Sequence, residues 1–249
     1  MSKNKTAIVT GASNGIGKSI ALMLAGEGID VAINYFSDEK GAEDTKAKAE
    51  KLGVRALTIQ ADTGQAKSID ALVAKALEAF PKIDILVNNA GIFINSDFFE
   101  ISEEMFDRTI NVNLKGCFLL MQKVGRHMVK KGVHGRIVNI SSALAVTGCE
   151  FQPHYAASKA GVNMLTKAGA YSLAPYGITV NAIMPGTIET NANRMQLSDA
   201  ATAREILSRT PLKSYGKPEN ISEAVKYFIS DNAGWTTGSI LAVDGVYLA

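Results

Sequence analysis

The sequence predicts an α/β fold, one parallel sheet joined by right-handed crossovers. Two observations predict it. Short β-rich runs alternate with longer helical stretches along the chain, the signature of repeated strand–helix–strand units. Several of those runs are unbroken in Val, Ile and Leu, as strands buried on both faces are. With 249 residues, 47% hydrophobic and 20% charged, the chain suits one large domain with a substantial core. It shows no low-complexity linker, break in composition or solenoid repeat.

In chain order the strand candidates are TAIVT (6–10), DVAINY (30–35), RALTIQ (55–60), IDILVNN (83–89), GRIVNIS (135–141), ITVNAIM (178–184) and SILAVDG (239–245). Helical patterns lie between them, among them GIGKSIALMLAGEG (15–28) and SIDALVAKALEAF (68–80). The basic stretch GRHMVKKGVHGR (125–136) reads as a helix C-terminus and turn, where cations complement the helix dipole. The least regular segment, about 185–216, is long enough to be a binding loop or lid, or a surface insertion with one helix near 199–208.

Composition excludes several classes. A net charge of +2 gives no reason to expect nucleic acid. Cys117 and Cys149 are far apart, and His127, His134 and His154 do not cluster with them, so no metal site is expected. Reduced thiols, no signal peptide and no apolar run long enough to span a bilayer point to a cytoplasmic protein.

TGASNGIG (10–17) follows the first strand and opens the first helix. Glycines at 11, 15 and 17 allow a tight turn and close approach to a pyrophosphate, with Ser13, Asn14 and Ile16 between them. The helix N-terminus supplies unpaired N–H groups and positive potential. Nucleotide binding outweighs a turn used only for packing, because the strand–turn–helix context is right. An acid at the tip of the second strand would hold a ribose 2′-hydroxyl. That tip reads INYFSDE, with Tyr35 in the acid's place and Ser37 close by. Asp38 and Glu39 look like the start of the next helix. Ser37 can accept a 2′-phosphate, no Arg stands there, and Lys18 is the nearest cation. The balance favours NADP(H), with NAD(H) also usable.

PHYAASKAG (153–161) places Tyr155 and Lys159 four apart, on one face of a helix. A free phenol, with a pKa of about 10, is a poor acid or base at neutral pH. A nearby ammonium lowers that value toward the range where proton transfer works best. By themselves the two residues equally describe a surface Tyr and a solvated Lys.

Taken together, the motifs resemble the short-chain dehydrogenase/reductase family. They run in order over the full length: TGASNGIG, AD (61–62), NNAG (88–91), NVNLKG (111–116), ISS (140–142), YAASK (155–159) and PGTIET (185–190). The resemblance implies a single-domain Rossmann fold, a seven-stranded parallel sheet with three helices on each face. It implies hydride transfer between an alcohol or carbonyl and a nicotinamide. Tyr155 would be the proton donor or acceptor, and Lys159 would lower its pKa and bind the nicotinamide ribose. Ser142, rather than Ser141, would hydrogen-bond the reacting oxygen. Asn113, rather than Asn111, would hold a helix kink and a water chain. Asn89, Ala90 and Gly91 would line the adenosine side, and Asp62 and Thr63 would meet the adenine. Pro185, Gly186, Ile188 and Thr190 would hold the carboxamide end.

Within the family, the His before the catalytic Tyr and the stretch from Leu173 to Asp199 are similar to bacterial aldose 1-dehydrogenases of the rhamnose and glucose type. Gln152, His154, Asn191 and Asn193 could bond sugar hydroxyls; His154 could instead cap the helix or face solvent. The alternative is a 3-oxoacyl-carrier-protein reductase, for which Arg126, Lys130 and Lys131 offer a basic patch. A non-catalytic nucleotide-binding regulator is the third reading, disfavoured because Ser142, Tyr155 and Lys159 are all present. The C-terminus reads VDGVYLA where the family commonly has a second Gly. In many relatives this end packs at a homotetramer interface, so Val246, Tyr247 and Leu248 bear on assembly.

Overall fold

The computed structural model describes residues 5–191 and 193–248. Seven strands form one parallel sheet in the order β3-β2-β1-β4-β5-β6-β7. They are β1 (Thr6–Val9), β2 (Asp30–Tyr35), β3 (Ala56–Gln60), β4 (Ile85–Asn88), β5 (Arg136–Ile140), β6 (Thr179–Pro185) and β7 (Ile240–Val243). Each falls inside or within a residue of its expected run. The central strands are buried along almost their whole length, Arg136 at the start of β5 being partly exposed, whereas β3 and β7, at the sheet edges, are partly open.

The helices are α1 (Gly15–Gly26), α2 (Glu39–Lys51), α3 (Ala66–Ala79), α4 (Glu103–Ile110), α5 (Gly116–Lys131), α6 (Leu144–Thr147), α7 (Pro153–Leu173), α8 (Arg194–Ser198), α9 (Ala200–Ser208) and α10 (Pro218–Ile229). One core packs α1 and α10 on the sheet, with Ile20, Leu24, Val225 and Phe228 fully covered. The other packs α3, α5 and α7 on the opposite face, through Ile69, Leu72, Leu120, Met128 and Val162. The basic stretch ends α5 as expected: Gly132 takes a left-handed conformation (φ 64°) just past Lys131. The segment 185–216 holds α8 as well as the expected helix, and an Ile188–Gly216 bridge closes its base.

After β3 the chain crosses to the other side of β1 and starts β4. The loops leaving β1 and β4 therefore diverge at the carboxyl edge of the sheet, where open α/β folds bind ligands. Those loops are TGASNGIG and NNAG. Asn34, in the buried strand β2, braces the region. Its amide donates to Tyr35 O, Ile59 O and Ala61 O, and its oxygen accepts from Gly11 N.

The C-terminal turn is strained. Gly245 and Val246 both have positive φ, 65° and 75°, a region costly for a β-branched residue. The Asp244 carboxylate holds the turn by accepting from Val246 N and Leu248 N, each at 3.0 Å. Arg209, just past α9, lies 5.1 Å from the Tyr247 ring centroid. Val246→Gly should raise stability by about 1 kcal/mol, a Tm gain of about 2–4 °C for a chain of this size. A lower Tm on thermal unfolding would mean the valyl contacts outweigh the strain.

Candidate active site

The phosphate loop has a built shape. A Cβ at Gly17 would meet Gly11 O at 2.2 Å, and one at Gly11 would meet Ala90 Cα at 2.9 Å, so no side chain fits at either position. Thr10 Oγ1 accepts from Asn89 N (3.0 Å) and Ala90 N (2.9 Å), and Asn89 Nδ2 donates to Thr10 O and Gly11 O. These bonds lock the two loops together. Asn14 stands at the N-cap of α1 but does not cap it. Its amide goes to Asp38 Oδ2 at 3.0 Å, leaving the first N–H groups of α1 to an anion. Thr190 closes the opposite side: a Cβ at Gly15 would lie 3.4 Å from its Cγ2. These residues fit a dinucleotide pyrophosphate.

At the ribose end, Asp38 caps α2 as expected, accepting from Gly41 N at 2.9 Å. The Asn14 hydrogen bond holds its carboxyl below the usual carboxylate range. Lys18, the nearest cation of the loop, is paired with Asp44 at 2.5 Å. Tyr35 is buried, while Phe36 and Ser37 are exposed. Asp62 is tied to Arg108 at 2.8 Å and accepts from Gly64 N, and Thr63 is buried beside it. Pro185 ends β6, Ile188 is buried, and Gly186 lies against Asp244, where a Cβ would meet Asp244 Cα at 2.7 Å.

The reacting end is built on α7, β5 and a π-turn. Residues 111–115 form one π-helical turn between α4 and α5, and it carries Asn113 inward. Asn113 bonds both main-chain groups of Ile92, each at 2.9 Å, and donates to Ser158 Oγ at 3.1 Å. Asn111 instead sits at the surface with Lys115. Ser141 Oγ donates to Lys159 O, a scaffold role. Ser142 lies beside the Tyr155 hydroxyl, close enough to pull its pKa down. The Ser142 Oγ accepts from Leu144 N at 3.2 Å. The two serines thus make different contacts, as do the two asparagines.

Lys159 is 4% exposed, and its Nζ donates to Ile140 O at 2.8 Å. Gly91 lies close by; a Cβ there would sit 3.4 Å from Nζ. Behind the ammonium lies a cavity with about 10 Å³ of room for a water centre, lined by Thr10, Asn88, Asn113 and Cys117. Burial pulls Lys159 down from 10.5 to about 8 and pushes the Cys117 thiol up to about 12. Burial also raises Tyr155 above 10.0, opposed by the Ser142 side chain beside it. The expected lowering by Lys159 is not met by the protein alone: its ammonium is turned to Ile140 O, 5.7 Å from the phenol ring centroid.

Of the residues expected to meet substrate, Gln152 and Asn191 are accessible. His154 is 1% exposed, and neither ring nitrogen has a partner, so it neither caps the helix nor faces solvent. Burial lowers its pKa and keeps it neutral. Asn193 is committed to the loop, accepting from Thr190 N and Oγ1 and donating to Ile188 O. Phe93 and Asn95 were not foreseen. The Phe93 ring meets Tyr155 edge-on at 6.4 Å, and Asn95 accepts from Gln152 Nε2.

A glycine cradle at the sheet's switch point beside a Ser–Tyr–Lys constellation defines a nucleotide-dependent oxidoreductase. A family profile described as enoyl-(acyl carrier protein) reductase matches residues 11–247. The L-rhamnose 1-dehydrogenase (NAD(P)(+)) of Sphingomonas sp. (strain SKA58) is 40% identical, covering 98% of this chain and 96% of that one. A 3-oxoacyl-(acyl-carrier-protein) reductase of Staphylococcus epidermidis is also 40% identical, covering 97% and 98%. A short chain dehydrogenase from Burkholderia cenocepacia J2315, crystallised with NADP, superposes with a TM-score of 0.92 at 36% identity, covering 98% of each chain. The chain belongs to the short-chain dehydrogenase/reductase family.

The buried lysine makes stability depend on pH. Between about pH 8 and 10.5 the unfolded chain holds more protons at Lys159 than the folded one, so stability rises with pH across that window. Below it the full cost of burying the ammonium is present, roughly 3 kcal/mol. Lys159→Met should therefore be inactive yet more stable than the parent at pH 7, with the gain shrinking toward pH 10.5. Denaturant unfolding at both ends checks it; a gain independent of pH would mean Lys159 is not buried charged.

Proposed function

We propose that the protein is an NAD(P)-dependent aldose 1-dehydrogenase, moving hydride between a sugar C–OH and nicotinamide. The carrying observation is Ser142 and Tyr155 side by side, with the buried Lys159 one helical turn on and bonded to Ile140 O. When bound, the cofactor supplies the hydride acceptor and a positive charge. Ser142 then holds the substrate oxygen, and Tyr155 takes the hydroxyl proton in oxidation or returns it in reduction. Lys159, held by Ile140 O, bonds the ribose, and Asn113 keeps the route behind it open. The 185–216 segment is the substrate loop.

NADP(H) is the favoured cofactor and NAD(H) is also accepted. The tip of β2 carries no acid at Tyr35 and leaves Ser37 exposed, while the Asp38 carboxylate nearby limits the preference for a 2′-phosphate. Asp38→Asn keeps an N-cap residue and removes the charge. It should raise the ratio of kcat/KM with NADP+ to that with NAD+ roughly fivefold or more. An unchanged ratio would mean the 2′-phosphate does not lie against Asp38.

The sugar substrate is supported by the 40% identical L-rhamnose enzyme and by the 38% identical glucose 1-dehydrogenase 2 of Bacillus subtilis. The second reading, a 3-oxoacyl-carrier-protein reductase, has equal identity behind it. Yet Arg126, Lys130 and Lys131 lie toward the end of α5 remote from the cleft of their own chain, so a carrier would need a neighbouring copy to use them. We place the enzyme in the cytoplasm as a homotetramer. Its thiols Cys117 and Cys149 are free, and several large apolar side chains are exposed. They include Trp235, Tyr171, Leu241, Phe106 and Phe118.

The test is cofactor reduction across an aldose panel with NADP+ and NAD+, with acetoacetyl thioester and NADPH in parallel. Sugar-dependent reduction supports the proposal; turnover of the thioester alone transfers the assignment to the reductase. Tyr155→Phe should lose at least about 100-fold in kcat, the usual worth of a positioned acid–base, with cofactor affinity unchanged. Normal turnover would remove Tyr155 from the mechanism.

A further inference from the structure

Resting on the aldose reading, we infer that Asn95 and Gln152 form a two-point hydroxyl clamp that reads adjacent hydroxyls of the sugar. Gln152, His154, Asn191 and Asn193 were the candidates for this task, and Asn95 joins them through its bond to Gln152. Two are unavailable: the His154 ring is buried, and both ends of the Asn193 amide are spent within its loop. Gln152 stands at the N-cap of α7, three residues before Tyr155, yet makes no capping bond. Its Nε2 instead reaches across the cleft to Asn95 Oδ1 on the loop leaving β4. Ser96 N donates to Phe151 O at 3.0 Å, tying the same two loops one residue further along. Phe93, two residues before Asn95, touches the Tyr155 ring. The amide pair thereby joins the Phe93 loop to the start of the helix that carries Tyr155.

Two amides joined by one hydrogen bond keep a free carbonyl on Gln152 and a free NH₂ on Asn95. A hydroxyl both donates and accepts, so two neighbouring hydroxyls satisfy both amides at once. An acyl chain offers neither group and would strip water from the pair without replacing it. The clamp therefore selects polyhydroxylated substrates as well as orienting them.

The experiment uses the full-length enzyme with NADP+, the best aldose from the panel and its single-deoxy analogues. Asn95→Ala and Gln152→Ala should each raise KM for the aldose roughly tenfold, with kcat and NADP+ affinity within about twofold. The double variant should be no worse than the poorer single one, because the pair acts as a unit. Gln152→Glu, which keeps the acceptor, should recover part of the loss. The parent should lose a similar factor on deoxy analogues missing a clamped hydroxyl, and the alanine variants nothing further. Unchanged KM, or losses that add across variants and all analogues, overturns the clamp alone. A parent enzyme that oxidises no aldose overturns the functional reading before any variant is compared.

Discussion

The hydrogen bond from Lys159 Nζ to Ile140 O joins the two elements that carry the chemistry. It fixes the helix bearing Tyr155 to the end of the strand that leads into Ser142. An ammonium buried to 4% exposure needs such a partner, since an unpaired buried charge would be driven to neutrality. Much of the surrounding design serves this placement. Gly91 lies against Nζ, where a Cβ would sit 3.4 Å away, and Ser141 supports the lysine's own carbonyl. The π-turn brings Asn113 alongside, where it holds Ile92 and Ser158.

A consequence is that the protein alone leaves the site untuned. Burial keeps the Tyr155 phenol high, and the ammonium is directed elsewhere. On the proposed mechanism, a cationic nicotinamide bound in the same cleft would supply the charge that lowers the phenol pKa. Proton transfer would then be coupled to cofactor occupancy.

The strands were legible because unbroken Val–Ile–Leu runs describe the buried centre of a parallel sheet. The glycine loop was legible because turn, helix start and strand are contiguous. Helix α8 has only 5 residues, too few for a periodic signal. His154 misled through adjacency: neighbours on a helix do not share a face, so a Tyr155 turned to the cleft carries His154 into the protein. Asn95 and Gln152 lie 57 residues apart, and no local pattern joins them. Asn34 did leave a trace, as a polar residue within the apolar run of β2 that follows Asp30.

The most direct test of the account is a titration of the Tyr155 phenolate by absorbance, with and without saturating NADP+, using Tyr155→Phe as the blank. The account predicts a phenol that ionises above pH 10 in the protein alone and moves toward neutrality when the oxidised cofactor binds. A phenol already ionising near neutral pH without cofactor, or one that does not shift on binding, would contradict it.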